Sequence, residues 1–501
     1  MPATNVADLL RRRASREGDK VALVDGDRRV TWAELDAMVD KMARGLAALG
    51  LVGGHRVAIA MTNSVGFVVC YLAVLRGGMV AVLLNPMSTS GEVGRVLADS
   101  GARICVTDAT AARTVREAVA GAVDPLIVVA DAPLLPGEYA YDELTGTGRA
   151  AVRAPRDIES LAVLLYTSGT GGEHRGAMLS HRALLANIEQ ASRTKPAWVR
   201  PDDTVLGVLP LFHGYGLGAV LGQVLLQGAT LVLGWRLQPD ETLRLIAAEG
   251  VTCAPVAPHV IADWSQRPDG RQQLGSVRTL ISGAVRQAER SLRDFEAQVG
   301  VRVEQGYGLT EAGPIVTSTI GTAVRKPGSA GQALPGVGLR VVDETGNPAH
   351  ADDPGQILVR GRNLFSGYWP DGDGGPDAEG WLATGDIGLM DNDGDLFLVG
   401  RVEERVVVSG FNVYPAEIEA VIDQLDGVVE SAVLGVPDAQ TGEAVVAYVV
   451  PAVASDADAL RDRVRAHCEQ RVARFKVPSA VEVVGELPHA AVETRRAMGL
   501  A

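Results

Sequence analysis

The sequence predicts an α/β chain: a large N-terminal domain of layered α/β subdomains, a β-rich subdomain within it, and a small α+β C-terminal domain. Three observations carry this expectation. Short buried-strand signals alternate with helical patterns through most of the chain, the alternation that builds parallel sheets. From about residue 324 to 401 the texture changes to glycines, prolines and short β-rich runs. After residue 401 about 100 residues follow a strand and helix pattern of their own. A chain of 501 residues is too long for one ordinary core, so several domains or subdomains are expected.

In the first part, residues 21–24, 56–60, 79–84, 104–107 and 126–129 read as short buried strands, with helices at 32–49 and 66–76 between them. The apolar stretch 214–234 splits into a helix and a strand at 229–233, because its glycines and two glutamines are incompatible with a membrane span. In the β-rich part, 339–343, 356–361 and 396–399 read as strands, with a turn at Glu344-Thr-Gly-Asn. The last part reads as a strand at 405–409, a helix from Pro415, strands at 430–436 and 444–450, a helix at 457–474 and a strand at 480–484. The junction is placed at Gly400-Arg-Val-Glu-Glu, which divides the chain into 1–400 and 401–501.

Composition narrows the class of function. Hydrophobic residues make up 47% and charged residues 22%, the balance of a globular soluble protein. The net charge of −14 and the lack of a basic stripe argue against nucleic acid and anionic membranes as partners. Cys70, Cys105, Cys253 and Cys468 are far apart, with no metal-type spacing, and read as small buried apolar residues. Residues 1–14 mix charges without an apolar core, which is not a signal-peptide pattern, so a cytoplasmic location is expected. Only five lysines occur, Lys20, Lys41, Lys195, Lys326 and Lys476, so any chemistry that needs a lysine must use one of them.

Four motifs carry chemistry. Tyr166-Thr-Ser-Gly-Thr-Gly-Gly-Glu-His-Arg-Gly176 is read as a Gly/Ser/Thr-rich turn between a strand and a helix, able to aim N–H groups and hydroxyls at phosphate oxygens. It is not a Walker loop, since no G-K-[ST] follows. In Gln305-Gly-Tyr-Gly-Leu-Thr-Glu311 an aromatic ring between glycines can stack on a base, and the Thr and Glu can meet a phosphate and a divalent metal. In Trp381-Leu-Ala-Thr-Gly-Asp386, with Gly400-Arg401 downstream, a carboxylate can take both hydroxyls of a ribose with an arginine in support. Ser409-Gly-Phe-Asn-Val-Tyr-Pro-Ala-Glu-Ile-Glu419 is a strand, a turn and a Pro-initiated helix. Each alone reads as well as a turn or a flexible loop.

Together, in this order and spacing, the four motifs resemble the adenylate-forming superfamily: acyl-CoA synthetases, adenylation domains of peptide synthetases and luciferases. Asn85-Pro86 with Glu92, Leu179-Ser-His181, Leu209-Pro-Leu-Phe-His213 and Ser282-Gly-Ala284 extend the resemblance over about residues 20–490. It implies an acyl-CoA ligase that handles a small-molecule carboxylic acid as its acyl-AMP, using ATP or its AMP moiety, coenzyme A and Mg²⁺. It implies that Thr167, Ser168, Gly169, Thr170 and Arg175, with Gly306, Tyr307, Gly308, Thr310, Asp386 and Arg401, bind the nucleotide. Tyr307 would stack on adenine, Thr310 would contact the α-phosphate, Glu311 would hold Mg²⁺, and Asp386 and Arg401 would bind the ribose. His213, Gly214, Tyr215, Gly283 and Ala284 would line the acyl pocket, His213 near the carboxylate. Gly410 would line the pantetheine tunnel, and Arg474, Phe475 and Lys476 would meet the CoA nucleotide. Glu403 matches the hinge about which a mobile small domain swings.

The sequence departs from the family at two places. The family's phosphate loop reads Y-T-S-G-T-T-G-x-P-K-G, and here Gly171, His174 and Arg175 replace the second threonine, the proline and the lysine. A planar guanidinium is not a compact ammonium. The family also closes with P-x-T-x-x-G-K, whose lysine reaches the acid and the α-phosphate together. Counting from Pro488, Thr494 holds the lysine position and Glu493 the glycine position, with Arg495 one residue out of register. These losses fall on adenylation, while the AMP-facing and tunnel motifs are complete. The expectation is an enzyme limited to thioesterification of acyl-adenylate, supplied by a second, adenylating enzyme. A complete two-step ligase, a protein that loads a carrier protein and a non-catalytic acyl-AMP binder remain open alternatives.

Overall fold

The structure is a computed structural model that describes residues 3–120, 125–145, 157–168, 174–236, 238–267, 269–283, 289–351, 353–409, 411–438, 440–452 and 457–487. Gly169, Thr170, Gly171, Ala284, Gly410, Glu493, Thr494 and Arg495 lie outside the described residues.

Two seven-stranded sheets form the body. The first runs Val303–Gly306, Thr279–Gly283, Cys253–Val256, Thr204–Gly207, Thr230–Leu233, Val21–Asp25, Arg28–Thr31, parallel except for the last pair. The second runs Tyr139–Ala140, Leu126–Val129, Ile104–Thr107, Arg56–Ala60, Val80–Leu83, Leu161–Ser168, His174–Ser180, again parallel except for the last pair. Strands covered on both faces read as unbroken apolar runs. Val80–Leu83 and Ile104–Thr107 are buried at every position.

One hydrophobic core joins the two sheets. Within it lies the helix Val65–Arg76, buried at every residue but Gly66. A helix without a polar face must be enclosed on all sides. Its last residue, Arg76, is 4% exposed and is neutralised by Asp36 and Asp40 at 2.5 and 2.6 Å. Capping boxes begin the helices Trp32–Ala48, with Thr31 and Glu34, and Ser90–Ser100, with Thr89 and Glu92. Glu92 therefore serves as a helix cap.

The β-rich part is a four-stranded antiparallel meander of Gly338–Val342, Gly355–Arg360, Trp381–Met390 and Leu396–Arg401. The turn Val402–Glu404 leads from it to a last sheet of Val406–Val408, Phe411–Val413, Val428–Asp438, Gly442–Pro451 and Ala480–Val483. This sheet and the helices Pro415–Ile422 and Ala457–Glu469 share a separate core that includes Ile418, Ile422, Val433, Ala447, Val464 and Cys468.

Three expectations need correction. The helix expected over 457–474 ends at Glu469, and Arg474–Lys476 is a separate single turn. The helix before Thr230–Leu233 begins as a π-helix, Tyr215–Gly222, and becomes α-helical at Gln223–Gln227. The first motif does not join a strand to a helix. It joins Leu161–Ser168 to the antiparallel strand His174–Ser180, and Ser180 then caps the helix His181–Ser192. The four cysteines are buried and unpaired, as expected, and among the described residues no helix is long and apolar enough to cross a membrane.

Phe365 is 1% exposed and packs edge-on against Tyr368 at 5.0 Å, so it joins the core to the site described below. Phe365→Ala is expected to lower stability by about 3–5 kcal/mol. Urea unfolding followed by tryptophan fluorescence measures this, and a midpoint unchanged from the wild type would contradict it.

Candidate functional site

The site begins where two strands of the first sheet end side by side, with Gly283 paired to Gly306. Beyond Gly306 the chain runs through Tyr307, Gly308, Thr310 and Glu311. Residues 314–318 cross so close that a Cβ at Gly308 would lie 1.9 Å from the Pro314 carbonyl, and one at Gly306 would lie 2.6 Å from that of Thr317. Both positions require glycine for close backbone approach. The Tyr307 N–H donates to Thr317 Oγ1 at 3.0 Å, which fixes the ring between them.

Tyr307 is 7% exposed, and its hydroxyl donates to Asp386 Oδ2 at 2.6 Å. Asp386 stands opposite Arg401 in the antiparallel ladder, and Arg401 Nε donates to Asp386 Oδ1 at 3.1 Å. Burial raises the pKa of Asp386, while the Tyr307 hydroxyl and the Arg401 guanidinium oppose that shift. Burial and the adjacent Asp386 raise the pKa of Tyr307 well above the ordinary tyrosine value, so the phenol remains a donor. Each carboxylate oxygen holds one protein donor and keeps lone-pair capacity for a hydroxyl. This is suitable chemistry for a ribose diol.

Glu311 lies on the other side of Thr310. Its Oε1 accepts from the Tyr368 hydroxyl at 2.6 Å, and its carbonyl accepts from the Phe365 N–H at 2.9 Å. Asn363 Nδ2 donates to the Ala312 carbonyl at 2.8 Å. Segment 366–369 also bonds to the strand His174–Ser180, through Met178 N–H to Gly367 O at 3.1 Å and Trp369 N–H to Gly176 O at 2.8 Å. The phosphate hairpin and the Glu311 loop are therefore held by one strap. Across that strap the Arg175 guanidinium lies 3.9 Å from the Tyr368 ring centroid.

No group of three or more His, Cys, Asp or Glu side chains capable of holding a metal exists among the described residues. Magnesium typically takes one or two carboxylates and completes its shell with phosphate oxygens and water. Glu311 fits that mode, with nucleotide phosphates as the other ligands.

Leu209-Pro-Leu-Phe-His213 reaches the same place. A Cβ on Gly214 would lie 4.0 Å from Thr310 Oγ1 and 3.5 Å from Leu165 Cδ1. His213 Nδ1 accepts from the Tyr215 N–H at 3.2 Å, which leaves Nε2 as the protonated nitrogen of the neutral ring. The side chain keeps an exposed surface, and desolvation by the protein around it lowers its pKa.

A second cluster lies on the small domain. Phe475 stacks on Phe411 with ring centroids 4.5 Å apart, and Lys476 Nζ donates to both carboxylate oxygens of Glu417 at 2.7 Å each. Arg474 is exposed beside them. Ser409 has a φ of 51°, unusual for a residue other than glycine, immediately before Gly410. Asn412 Nδ2 donates to Glu344 of the β-rich meander.

The structure thus brings Thr167, Arg175, His213, Gly214, Tyr215, Gly283, Gly306, Tyr307, Gly308, Thr310, Glu311, Asp386 and Arg401 to the facing loops and strand ends. Ser168 enters through its backbone pairing with His174. Glu403 falls within the turn between the two domains. A cavity of about 500 Å³ elsewhere is lined by Arg182, Arg360, Arg362 and Phe365 among others, and by none of the motif side chains. Sequence reasoning missed Tyr368 and Thr317. Tyr368 is 57 residues from Glu311, and no local pattern links the two.

Comparison with known proteins gives the family and the fold. The profile of a family described as AMP-binding enzyme matches residues 10–369, and that of the AMP-binding enzyme C-terminal domain matches residues 417–493. The chain is 32% identical to 4-coumarate–CoA ligase 5 of Oryza sativa subsp. japonica, over 96% of this chain and 91% of that protein. It is 30% identical to a long-chain-fatty-acid–CoA ligase of Bacillus subtilis, over 98% and 93% of the two chains. The structure resembles ATP-bound MatB from Rhodopseudomonas palustris with a TM-score of 0.85 at 33% identity, over 97% and 96% of the two chains.

Asp386→Asn removes the charge while keeping the shape. It is expected to weaken AMP binding about ten- to a hundredfold, the scale of losing hydrogen bonds to a charged acceptor. Because burial raises the pKa of Asp386, wild-type affinity should fall on acidification at a pH above the ordinary aspartate range. Calorimetric titration across pH checks both. A variant with wild-type affinity would remove Asp386 from the nucleotide site.

Proposed function

The chain belongs to the AMP-binding enzyme family, among its acyl-CoA ligases, and on that footing we propose that it makes acyl-CoA by thioesterification of a preformed acyl-AMP. The coenzyme A thiolate attacks the acyl carbonyl carbon. The C–S bond forms, the bond from that carbon to the phosphate oxygen breaks, and AMP leaves with the electron pair. Asp386 and Arg401 hold the ribose, Tyr307 keeps Asp386 in position, and Thr310 meets the α-phosphate. His213 stands by the carbonyl. Gly410 lines the thiol's path, and Arg474, Phe475 and Lys476 receive the CoA nucleotide. The regions 1–400 and 401–501 act as two domains that turn about Glu403.

The observation that carries the restriction to one half-reaction is the commitment of the lysines. Lys476 is held by Glu417, Lys326 by Asp391, Asp393 and Asp395, and Lys20 by the carbonyls of Pro201 and Gly228. Lys41 is exposed on the helix Trp32–Ala48, and Lys195 is exposed in the chain after the helix His181–Ser192. Three of the five lysines are thus committed elsewhere, and the sequence carries no lysine after Lys476. Adenylation brings a carboxylate against a phosphate, and losing one preorganised charge there costs about 2.7–4 kcal/mol, or 10²–10³ in rate. The stacking of Arg175 on Tyr368 supports the same reading, because a guanidinium held on a ring is less free to follow the β- and γ-phosphates. Mg²⁺ on Glu311 would be needed only for residual adenylation, and a second enzyme would supply the adenylate. Arg495, one residue from the lysine position, supports the alternative of a complete two-step ligase. The acid is not fixed by kinship, since relatives are named for 4-coumarate and for long-chain fatty acids.

The test follows pyrophosphate release from acid and ATP separately from acyl-CoA formation from synthetic acyl-AMP. The second rate should exceed the first by about 10²-fold or more. Comparable rates would restore the ordinary ligase. Thr494→Lys combined with Glu493→Gly should raise pyrophosphate release if the missing lysine is the dominant defect. No gain would assign the defect to the altered phosphate hairpin.

A further inference from the structure

We propose that an open cleft behind the strap at 363–369 is a second binding site, for a small molecule that carries a phosphate group. It is separate from the nucleotide site, and neither half-reaction uses it.

The cleft has a volume of about 500 Å³. Small-molecule sites usually span roughly 300–1,000 Å³. Arg182, Arg360 and Arg362 are its charged lining, and Leu364, Phe365, Pro376 and glycine backbone form the rest. Arg182 follows the strand His174–Ser180, at the foot of the phosphate hairpin. There Leu161 pairs with Ser180, whereas Ser168 pairs with His174 at the other end, roughly 20 Å away by the rise of a strand. Phe365 connects the cleft to the strap, since its N–H bonds to the Glu311 carbonyl at 2.9 Å.

The three arginines are not alike. Arg182 is committed: it donates to Glu159 at 2.8 Å, to the Leu364 carbonyl at 3.2 Å and to the Arg362 carbonyl. Arg360 and Arg362 are exposed, and neither side chain has a carboxylate partner among the described residues. Arg360 stands between Gly338 and Trp381 in the meander, with its Cζ 4.8 Å from the centroid of the Trp381 ring. Arg340, two positions along on the same face, lies 4.2 Å from that ring and also lacks an acid among the described residues. The Asp377 carboxylate, beside Pro376, is taken by the N–H groups of Glu379 and Trp381 at 2.9 and 2.8 Å.

Scarcity of acids does not explain this. The chain has 61 acidic residues against 47 basic ones, and elsewhere Arg116 and Arg278 find Glu138 and Asp203 at 2.7 and 2.6 Å. A cleft lined by one sign of charge concentrates counter-ions of the other sign. The planar fork of a guanidinium meets two oxygens of a phosphate at once. A phosphate ester carries a charge of about −1.5 to −2 at pH 7, which matches the two free guanidinium groups of Arg360 and Arg362. A single carboxylate would leave one of them without a counter-charge.

The experiment titrates the full chain with inorganic pyrophosphate or succinate in magnesium-free buffer of low ionic strength, followed by calorimetry and tryptophan fluorescence. Pyrophosphate should bind, and succinate about tenfold or more weaker. Arg360→Gln combined with Arg362→Gln should weaken pyrophosphate binding about tenfold or more, with an unchanged circular dichroism spectrum. Arg175→Gln, at the phosphate hairpin, should leave it unchanged. Pyrophosphate should also change the tryptophan emission as Arg360 turns from Trp381 to the anion, and Trp381→Phe should remove that change while calorimetric binding persists. No binding by the wild type, or wild-type affinity in the double variant, would overturn the proposal. So would loss of binding in Arg175→Gln, or a fluorescence change that survives Trp381→Phe, since each places the anion elsewhere. Succinate binding as tight as pyrophosphate would overturn the assignment to phosphate.

Discussion

A carboxylate taken out of water must find donors or give up its charge, and Asp386 is in that position. Its two oxygens are held by the Tyr307 hydroxyl and the Arg401 guanidinium, and burial still raises its pKa. The requirement for partners organises much of the molecule. Tyr307 must sit at the end of the first sheet with its phenol directed outward, which requires the close crossing of residues 314–318 and glycines on either side of the ring. Arg401 must stand opposite Asp386, which fixes the register of the last two strands of the meander. Arg401 is also the final residue before the turn to the small domain, and its N–H bonds to the Glu404 carboxylate at 3.3 Å. Burial raises the pKa of Glu404 as well. Asp386 is therefore bonded directly to the residue from which the small domain departs.

The second constraint is the strap at 363–369. Its backbone pairs with the strand that follows the phosphate hairpin, and its side chains reach the loop carrying Glu311. Two motifs separated by more than a hundred residues in sequence are thereby held to one geometry. Asn187 completes the arrangement, accepting from the Ile315 N–H at 3.1 Å and donating to its carbonyl at 2.6 Å. Orienting groups through fully paired buried amides leaves little freedom for the loop to drift, which suits a site that acts by positioning.

Much of this was legible in the sequence, and the parts that were not share a cause. The buried parallel strands could be read because a strand covered on both faces must be apolar throughout, and residues 104–107 were placed to the residue. The grouping of Tyr307, Asp386 and Arg401 could be anticipated because their motifs occur in a recognisable order and spacing. The hairpin after residue 168 was read as a loop leading into a helix, since His174–Ser180 mixes charged, small and apolar residues without alternation. Its strand character comes from pairing with Leu161–Ser168, a neighbour and not a local preference. Tyr368 was invisible for the same reason. The glycines at 214, 216 and 218 were ambiguous because glycine marks closeness without saying to what, and only Pro210 and Pro314 decide it. Glu92 matched a signature but acts as a helix cap, a role its spacing from Thr89 already allowed.

The distribution of charge gives the altered residues their meaning. Joining a carboxylate to a nucleoside triphosphate forces two anions together, so that step depends most on a mobile cation placed between them. Displacing AMP with a thiolate asks instead that the nucleotide stay still while charge returns to its phosphate. The residues that hold a nucleotide still are paired, buried and mutually dependent, and a change at any one would disturb the others. A terminal lysine has no such ties, since it contributes a charge and little packing. Under the proposed function, a chain could lose that lysine without disturbing the clamp at Asp386, to which the Arg175 that stacks on Tyr368 is not bonded. On the proposed function, the same independence would let the clamp at Asp386 be retained while the lysine position changes.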